Sequence, residues 1–252
     1  MTLARPGKIR LDRLLTEREL ADSREKAQAL ILAGQVLVDE QKVEKCGALV
    51  SGKAALRVLG ELMRYVSRGG LKLEGALKHS RLDVTGKICL DLGASTGGFT
   101  DCLLQHGAAR VFAVDVGTNQ LAWKLRRDPR VVSLEKTNAR SLNFDQIGSR
   151  VEFVTIDVSF ISATLILPSL PPLLESHADV LVLVKPQFEV GKGQVGKGGI
   201  VRDPRLRQEA VSKVSRKLLE LGFTQLASAE SVVPGAEGNR EYFLHALWRK
   251  PS

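Results

Sequence analysis

Leu11, Leu14 and Leu15 stand at i, i+3 and i+4, the spacing of one helix face. A second helix follows. Asp22 or Ser23 supplies its cap, Glu25 stands three residues after Asp22 as in a capping box, and Ala27, Leu30 and Ile31 form its apolar stripe. Gly34 stops it at a left-handed position. Val36 and Val38 then alternate with Gln35, Leu37 and Asp39 in a short strand that turns at Asp39-Glu40. A turn at Ser51-Gly52-Lys53 and a strand over Ala55-Leu56-Arg57-Val58-Leu59 close a small sheet. So short a segment buries little core. The pattern predicts a small α+β unit over residues 1–60 with a specialised role.

From residue 85 the pattern changes to alternating strands and helices, the mark of a parallel sheet covered on both faces. Strands are expected at Lys87–Leu92, Arg110–Val114, Val131–Leu134, Phe153–Ile156, Asp179–Val184, Thr224–Ala229 and Tyr242–Trp248. Helices are expected at Asn119–Arg127 and Pro204–Leu221. The apolar run Val180-Leu181-Val182-Leu183-Val184 is what a strand buried on both faces needs. The fold class is therefore α/β, with a Rossmann-like, mostly parallel seven-stranded sheet over residues 64–252. Glu189–Gly199 holds five glycines and reads as a mobile surface loop.

Composition adds little until charge is counted. The 252 residues are 44% hydrophobic, 26% charged and 5% aromatic, an ordinary globular balance. No apolar run is long enough for a membrane helix, and the N-terminal residues show no secretory pattern. Cys46, Cys89 and Cys102 form no CxxC pair, so a reducing cytoplasm is the expected location. The four histidines show no metal-ligand spacing. The formal charge is +9, and residues 1–80 carry 15 basic against 10 acidic side chains. Such a surface favours a polyanion, nucleic acid first.

The first strand of the larger segment runs into Asp91-Leu92-Gly93-Ala94-Ser95-Thr96-Gly97-Gly98-Phe99. Gly93 and Gly98 match the outer positions of a dinucleotide fingerprint, but Ser95 replaces the middle glycine that admits a pyrophosphate. No phosphate loop of the GxxxxGK[ST] type exists. A phosphate-free nucleoside such as S-adenosylmethionine suits this loop better. Asp115 closes the second strand, placed to accept from a ribose diol; Asp91 would order the loop from beneath, and Asn138 is a candidate for the adenine edge. Strands four and five end in Asp157 and Lys185, with Pro186 holding Lys185 extended. In an open parallel sheet both should face the crevice at the carboxyl ends of the strands.

Two stretches carry family resemblances. Leu11-Asp12-Arg13-Leu14-Leu15, Ser23-Arg24-Glu25-Lys26-Ala27 and Ala33-Gly34-Gln35-Val36-Leu37-Val38 are similar to the S4-type RNA-binding domain, which implies that Arg13, Arg24 and Lys26 meet RNA phosphates. Across the whole chain, Arg68-Gly69-Gly70-Leu71-Lys72-Leu73, the loop Gly93–Phe99, Asp157-Val158-Ser159-Phe160, Lys185-Pro186-Gln187-Phe188-Glu189 and Asn239-Arg240-Glu241-Tyr242 together resemble the TlyA family. Those are ribosomal RNA 2′-O-methyltransferases with an FtsJ-like catalytic domain. The resemblance implies a catalytic tetrad of Lys72, Asp157, Lys185 and Glu241. It also implies S-adenosylmethionine as cofactor and ribosomal RNA or ribosomal subunits as partner, with a cytidine of 23S RNA, and in some members 16S RNA, as target.

The residue types agree with that chemistry. A ribose hydroxyl is a poor nucleophile until its proton leaves, and a lysine takes that proton only in its neutral form. Lys185 is the expected base, or else it only steers the hydroxyl; the spacing does not separate the two. Arg68, Lys192 and Lys197 are further expected RNA contacts, the last two on the glycine-rich loop. Three other readings fare worse. Arg81-Leu82-Asp83 resembles a pseudouridine synthase motif but precedes the first strand of the wrong fold. A pore-forming role lacks any long apolar segment or strongly amphipathic Lys-rich helix. A purely RNA-binding assembly factor would have no use for an intact tetrad.

Overall fold

The computed structural model describes residues 7–21, 23–59, 64–235 and 238–250; of Lys192 it describes the backbone alone. The chain divides into two compact units, Met1–Arg64 and Tyr65–Ser252.

The first unit contains β1 (Lys8–Arg10), α1 (Leu11–Glu17), α2 (Arg24–Leu32), β2 (Val36–Val38), β3 (Gln41–Lys42), β4 (Leu49–Ser51) and β5 (Leu56–Val58). β2 lies between β3 and β5, antiparallel to both, while β1 pairs with β4. Leu11, Leu15, Ala27, Ile31, Val36 and Val38 make its core. Three details differ from the sequence pattern. Ser23 caps α2, accepting from Lys26 N at 3.2 Å, so Lys26 and not Glu25 stands at the third helical position; Asp22 lies outside the described residues. Leu37 is buried along with Val36 and Val38 because its opposite neighbours, Lys42 and Arg57, flank it on both edges with long stems. Third, β1 and β4 had no signal in the pattern: none of their residues is buried, so neither strand carries a buried apolar face.

The second unit is a seven-stranded sheet of β6 (Ile88–Leu92), β7 (Arg110–Val114), β8 (Val131–Leu134), β9 (Val151–Ile156), β10 (Leu174–Val184), β11 (Thr224–Glu230) and β12 (Tyr242–Arg249). Their order is β11-β12-β10-β9-β6-β7-β8, and only β12 runs against the rest. Helices α3 (Gly69–Ser80), α4 (Gly98–Gln105), α5 (Trp123–Arg126), α6 (Phe144–Ile147), α7 (Pro186–Glu189) and α8 (Pro204–Glu220) accompany it. Alternate residues serve alternate faces. Leu90, Val180, Val182 and Val184 join Val211, Val214 and Leu218 of α8, whereas Cys89, Leu181 and Leu183 join Leu73 of α3 and Leu103 of α4. The chain leaves β6 toward β7 and β8, then returns to β9 on the other side of β6. That reversal opens a crevice at the carboxyl ends of β6 and β9.

The expected helix over Asn119–Arg127 shrinks to Trp123–Arg126. Asn119 has φ of +57°, and its amide is drawn to Glu135 at 2.9 Å, so the chain before Trp123 follows its side-chain partners instead of a helical path. The glycine-rich stretch is also shorter than expected. Glu189 ends α7 and is buried, its carboxylate taken by Ser162 Oγ and by Ala163 N at 2.7 Å. The exposed segment begins after it and holds two short 3₁₀ turns.

Candidate functional site

Two adjoining clefts share Gly93, Ser95, Asp157, Ser159 and Phe160 at the carboxyl edge of the sheet. One, of about 510 Å³, lies toward β7 and is also lined by Val114, Asp115, Val116 and Asn138. The other, of about 370 Å³, lies toward α3 and α7 and takes in Arg68, Lys72, Phe99, Lys185 and Glu241.

The loop after β6 is shaped by close approach. Gly93 has φ of +87°, and a Cβ there would stand 2.5 Å from the carbonyl oxygen of Asp157. A side chain at this position would both strain the backbone and separate β6 from β9. Ser95 occupies the middle position of the glycine fingerprint and still adopts a glycine-like φ of +48°. Its amide donates to Asp115 Oδ2 at 2.8 Å, and the Gly117 amide donates to Oδ1 at 2.7 Å. Asp115 thus ties the two loops together and keeps lone pairs for further donors. Ala94, Thr96 and Gly98 line the clefts, but Gly97 turns away, where a Cβ would meet Leu121 and Leu125. Phe99 is buried and stacks on Phe243 at 6.0 Å.

Asp91 lies below the loop, fully buried. Thr100 Oγ1 donates to it at 2.7 Å and Thr155 Oγ1 at 2.9 Å, which joins β6, α4 and β9. Burial pushes its carboxyl up to about 6, against the pull of those two hydroxyls. Asn138 caps the 3₁₀ turn at Ala139–Ser141, its Oδ1 accepting from Arg140 N at 3.0 Å, and lines the larger cleft.

The smaller cleft holds two ion pairs. Lys185 follows β10 in an extended conformation before Pro186, and its Nζ stands 2.6 Å from Asp157 Oδ1. The same amine donates to Ser159 Oγ at 2.8 Å. Lys72, on the first turn of α3, donates to Glu241 Oε2 at 2.6 Å, and both side chains are nearly out of solvent. α3 packs closely because glycines stand at its contacts: a Cβ on Gly70 would strike the Tyr65 ring at 2.2 Å, and one on Gly98 of α4 would stand 3.0 Å from the Gly70 amide nitrogen. Asn239, beside the tetrad motif, is structural, holding Val201 N and Gly199 O.

Sequence reasoning missed an aromatic feature here. Phe160 is 92% exposed, carries φ of +64°, and tilts against Phe188 with ring centroids 5.2 Å apart. A large aromatic in left-handed backbone and open to solvent costs energy that folding alone does not repay. Its position in the motif after Asp157 was visible; its backbone strain was not. Gln187 Oε1, in the wall of the same cleft, is buried without a hydrogen-bond partner among the described residues. Among the RNA-contact expectations, Arg68 is exposed at the mouth of the smaller cleft and Lys197 is exposed on its loop; the side chain of Lys192 lies outside the described residues. In the first unit Arg13 pairs with Glu17 at 2.7 Å on an exposed helix face, whereas Arg24 turns to Asp12.

Comparison with known proteins places these features in context. A model of FtsJ-like methyltransferases matches residues 65–247, and a model of the S4 domain matches residues 9–54. A Mycobacterium tuberculosis protein named 16S/23S rRNA (cytidine-2′-O)-methyltransferase TlyA is 52% identical over 94% of this chain and 89% of its own length. Hemolysin A of Brachyspira hyodysenteriae is 44% identical over 95% of this chain and all of its own. A solved structure from Streptococcus thermophilus, which carries a provisional hemolysin name, superposes with a TM-score of 0.74 at 43% identity, covering 98% of this chain and 90% of that one. Among the described residues no helix is long and apolar enough to cross a membrane.

Proposed function

The chain belongs to the TlyA family, an FtsJ-like methyltransferase joined to an S4 domain, and from that premise we propose that it moves a methyl group from S-adenosylmethionine to the ribose 2′-hydroxyl of a cytidine in ribosomal RNA. The observation that carries the reading is the pair of lysine–carboxylate contacts, Lys185–Asp157 and Lys72–Glu241, in a cleft that adjoins a nucleoside-sized one. Ribosomes place the reaction in the cytoplasm.

The larger cleft fits the cofactor. Its volume is within the range of small-molecule sites. Asp115 offers acceptor capacity to a ribose diol, Val116, Ile161 and Ile166 give apolar walls for a purine, and Asn138 is among the polar residues of the lining. Gly93 and Ser95 bring backbone close without the pyrophosphate-binding middle glycine. Bound there, S-adenosylmethionine supplies a methyl group activated by its sulfonium.

The chain's own residues do the rest. Arg68 at the cleft mouth engages a phosphate of the RNA backbone, and Phe160 with Phe188 offers a face on which the base of the target nucleotide stacks. Lys185, its place fixed by Asp157 and Ser159, meets the 2′-hydroxyl. As the oxygen–carbon bond forms, the bound cofactor would give up its methyl and leave as a neutral thioether, the carbon–sulfur electron pair staying on sulfur. Lys185 Nζ, in its neutral form, takes the hydroxyl proton, and Asp157 balances the charge gained there. Lys72, anchored by Glu241, stabilises negative charge developing on the oxygen. Positioning supplies most of the acceleration and proton transfer the remainder.

Calorimetric titration with S-adenosylmethionine, paired with transfer of a labelled methyl group to ribosomal RNA, tests the reading. Binding together with label in RNA is expected. Cofactor binding without any label in ribosomal RNA or subunits would overturn it.

A further inference from the structure

The segment that follows β10 holds one acid that the methyl-transfer chemistry does not use. Glu189 closes α7, four residues after Lys185, and its side chain is only 2% exposed. It lines neither of the two clefts. Its carboxylate is spent instead on the loop that leaves β9: Oε1 accepts from Ala163 N at 2.7 Å, and Oε2 accepts from Ser162 Oγ. Lys213 of α8 completes the set, with its Nζ 3.2 Å from Oε2 and donating to the Glu189 carbonyl oxygen at 2.7 Å. A carboxylate tolerates such burial only when its oxygens are taken in this way.

These contacts are the last of a series. Residues 157–163, which follow β9, and residues 185–189, which follow β10, are joined at three places. Lys185 meets Asp157 and Ser159 at one end. Phe188 meets Phe160 in the middle, and Glu189 meets Ser162 and Ala163 at the other end. Phe160, the one residue of the first segment with a left-handed φ, lies between the two anchored ends. At 92% exposure it has little packing of its own to hold that conformation, so the anchors on either side must do so. Ser162 also caps the 3₁₀ turn Ala163–Leu165, accepting from Thr164 N at 3.3 Å, which gives the far anchor a fixed base.

We propose that Glu189 is a positioning residue: it braces the segment after β9 against α7 and so holds Phe160, beside Phe188, where the base of the target nucleotide stacks. The inference rests on the reading of this chain as an RNA 2′-O-methyltransferase and gives that site a working residue outside its tetrad. A base seated in one place presents its ribose to Lys185 in one orientation, and a displacement of about 1 Å costs up to about 100-fold in rate. Phosphate contacts dominate affinity for RNA, so an unseated base lowers kcat while KM for RNA holds. Charge alone predicts a different result. Removing an acid from an RNA-binding protein favours the polyanion and gives no reason for turnover to fall.

The test uses the full chain, S-adenosylmethionine and ribosomal RNA, with initial rates of methyl transfer measured across a series of RNA concentrations. Glu189→Gln keeps the size of the side chain but loses the charge facing Lys213 and an acceptor facing Ser162. It is expected to lower kcat roughly 10-fold, with KM for RNA and cofactor affinity within about 2-fold of the unsubstituted chain. Phe160→Ala is expected to lower kcat at least as far. The double variant falls no further than Phe160→Ala alone, because Glu189 acts through that ring; a merely structural role gives losses that multiply. Where Glu189→Gln does not fold, Ser162→Ala removes one contact from the opposite side and decides the matter by the same comparison. Unchanged kcat in the folded variant, or losses that multiply with those of Phe160→Ala, overturns the inference. Absence of methyl transfer by the unsubstituted chain overturns the methyltransferase reading itself, and this inference with it.

Discussion

Lys185 Nζ stands 2.6 Å from Asp157 Oδ1 and 2.8 Å from Ser159 Oγ, so the amine has a fixed place in the cleft before any substrate arrives. Lys185→Met keeps most of the stem and removes the amine. Methyl transfer is expected to fall about 100-fold or more, with folding and cofactor affinity retained. Lys185→Arg does not restore it, because a guanidinium stays protonated and cannot accept the hydroxyl proton. Near-wild-type transfer by the Met variant would remove Lys185 from the chemistry. Asp91 gives a second check, on stability. Its carboxyl titrates near 6 when folded and near 3.9 when unfolded, so the folded chain binds the extra proton between those values. Stability therefore falls as pH rises from about 4 to about 6, by roughly 3 kcal/mol from this group. Chemical unfolding of Asp91→Asn beside the unsubstituted chain should show the variant's relative stability rising across that window; a constant difference would contradict it. Asp157 and Lys185 were legible in the sequence because a polar residue ending a continuous apolar strand has few structural reasons to be there. Phe160 was legible only as part of a motif, since its exposure and left-handed φ exist only once the chain is folded.

The turn from β6 to α4 is the element on which both clefts depend. A methyl group at residue 93 would meet the Asp157 carbonyl and would have to live at φ of +87°. Gly93→Ala is expected to cost about 2–4 kcal/mol and to weaken S-adenosylmethionine binding more than it weakens RNA binding. Thermal unfolding and calorimetry read the two effects separately, and a variant with wild-type cofactor affinity would contradict this account of the loop. Most strands of the large sheet were legible as apolar runs bounded by turn residues, but β11 is largely polar and exposed, and the first five residues of β10, with Glu175, Ser176 and His177 exposed, precede the expected strand; α8 was legible because Ala210, Val211, Val214 and Leu218 keep helical spacing. α3 was not. Its first turn reads as a flexible Gly-Gly stretch, and only the packing of Gly70 on Tyr65 shows why glycine begins a helix there. α5 was overread for the opposite reason: Asn119, at the start of the expected helix, takes a left-handed φ of +57° and gives its amide to Glu135.

At the scale of the whole molecule, the proposed chemistry and the expected RNA affinity fall in different units. The tetrad and both clefts belong to Tyr65–Ser252, while the S4 match falls within Met1–Arg64. The division was legible in the change from a short mixed pattern to strand–helix alternation, and the excess of basic residues in the first third pointed to a polyanion. The charge count did not show how the arginines are engaged, because it gives equal weight to Arg13, paired with Glu17 on a solvated face, and to Arg10, paired with the buried Asp12. The central claim is the site of methylation, and nucleoside analysis tests it most directly. Ribosomal RNA incubated with the chain and S-adenosylmethionine is digested to nucleosides and resolved by mass. The account predicts a gain of 2′-O-methylcytidine that is lost with Lys185→Met. A methyl group found on a base, or on the ribose of another nucleoside alone, would contradict it.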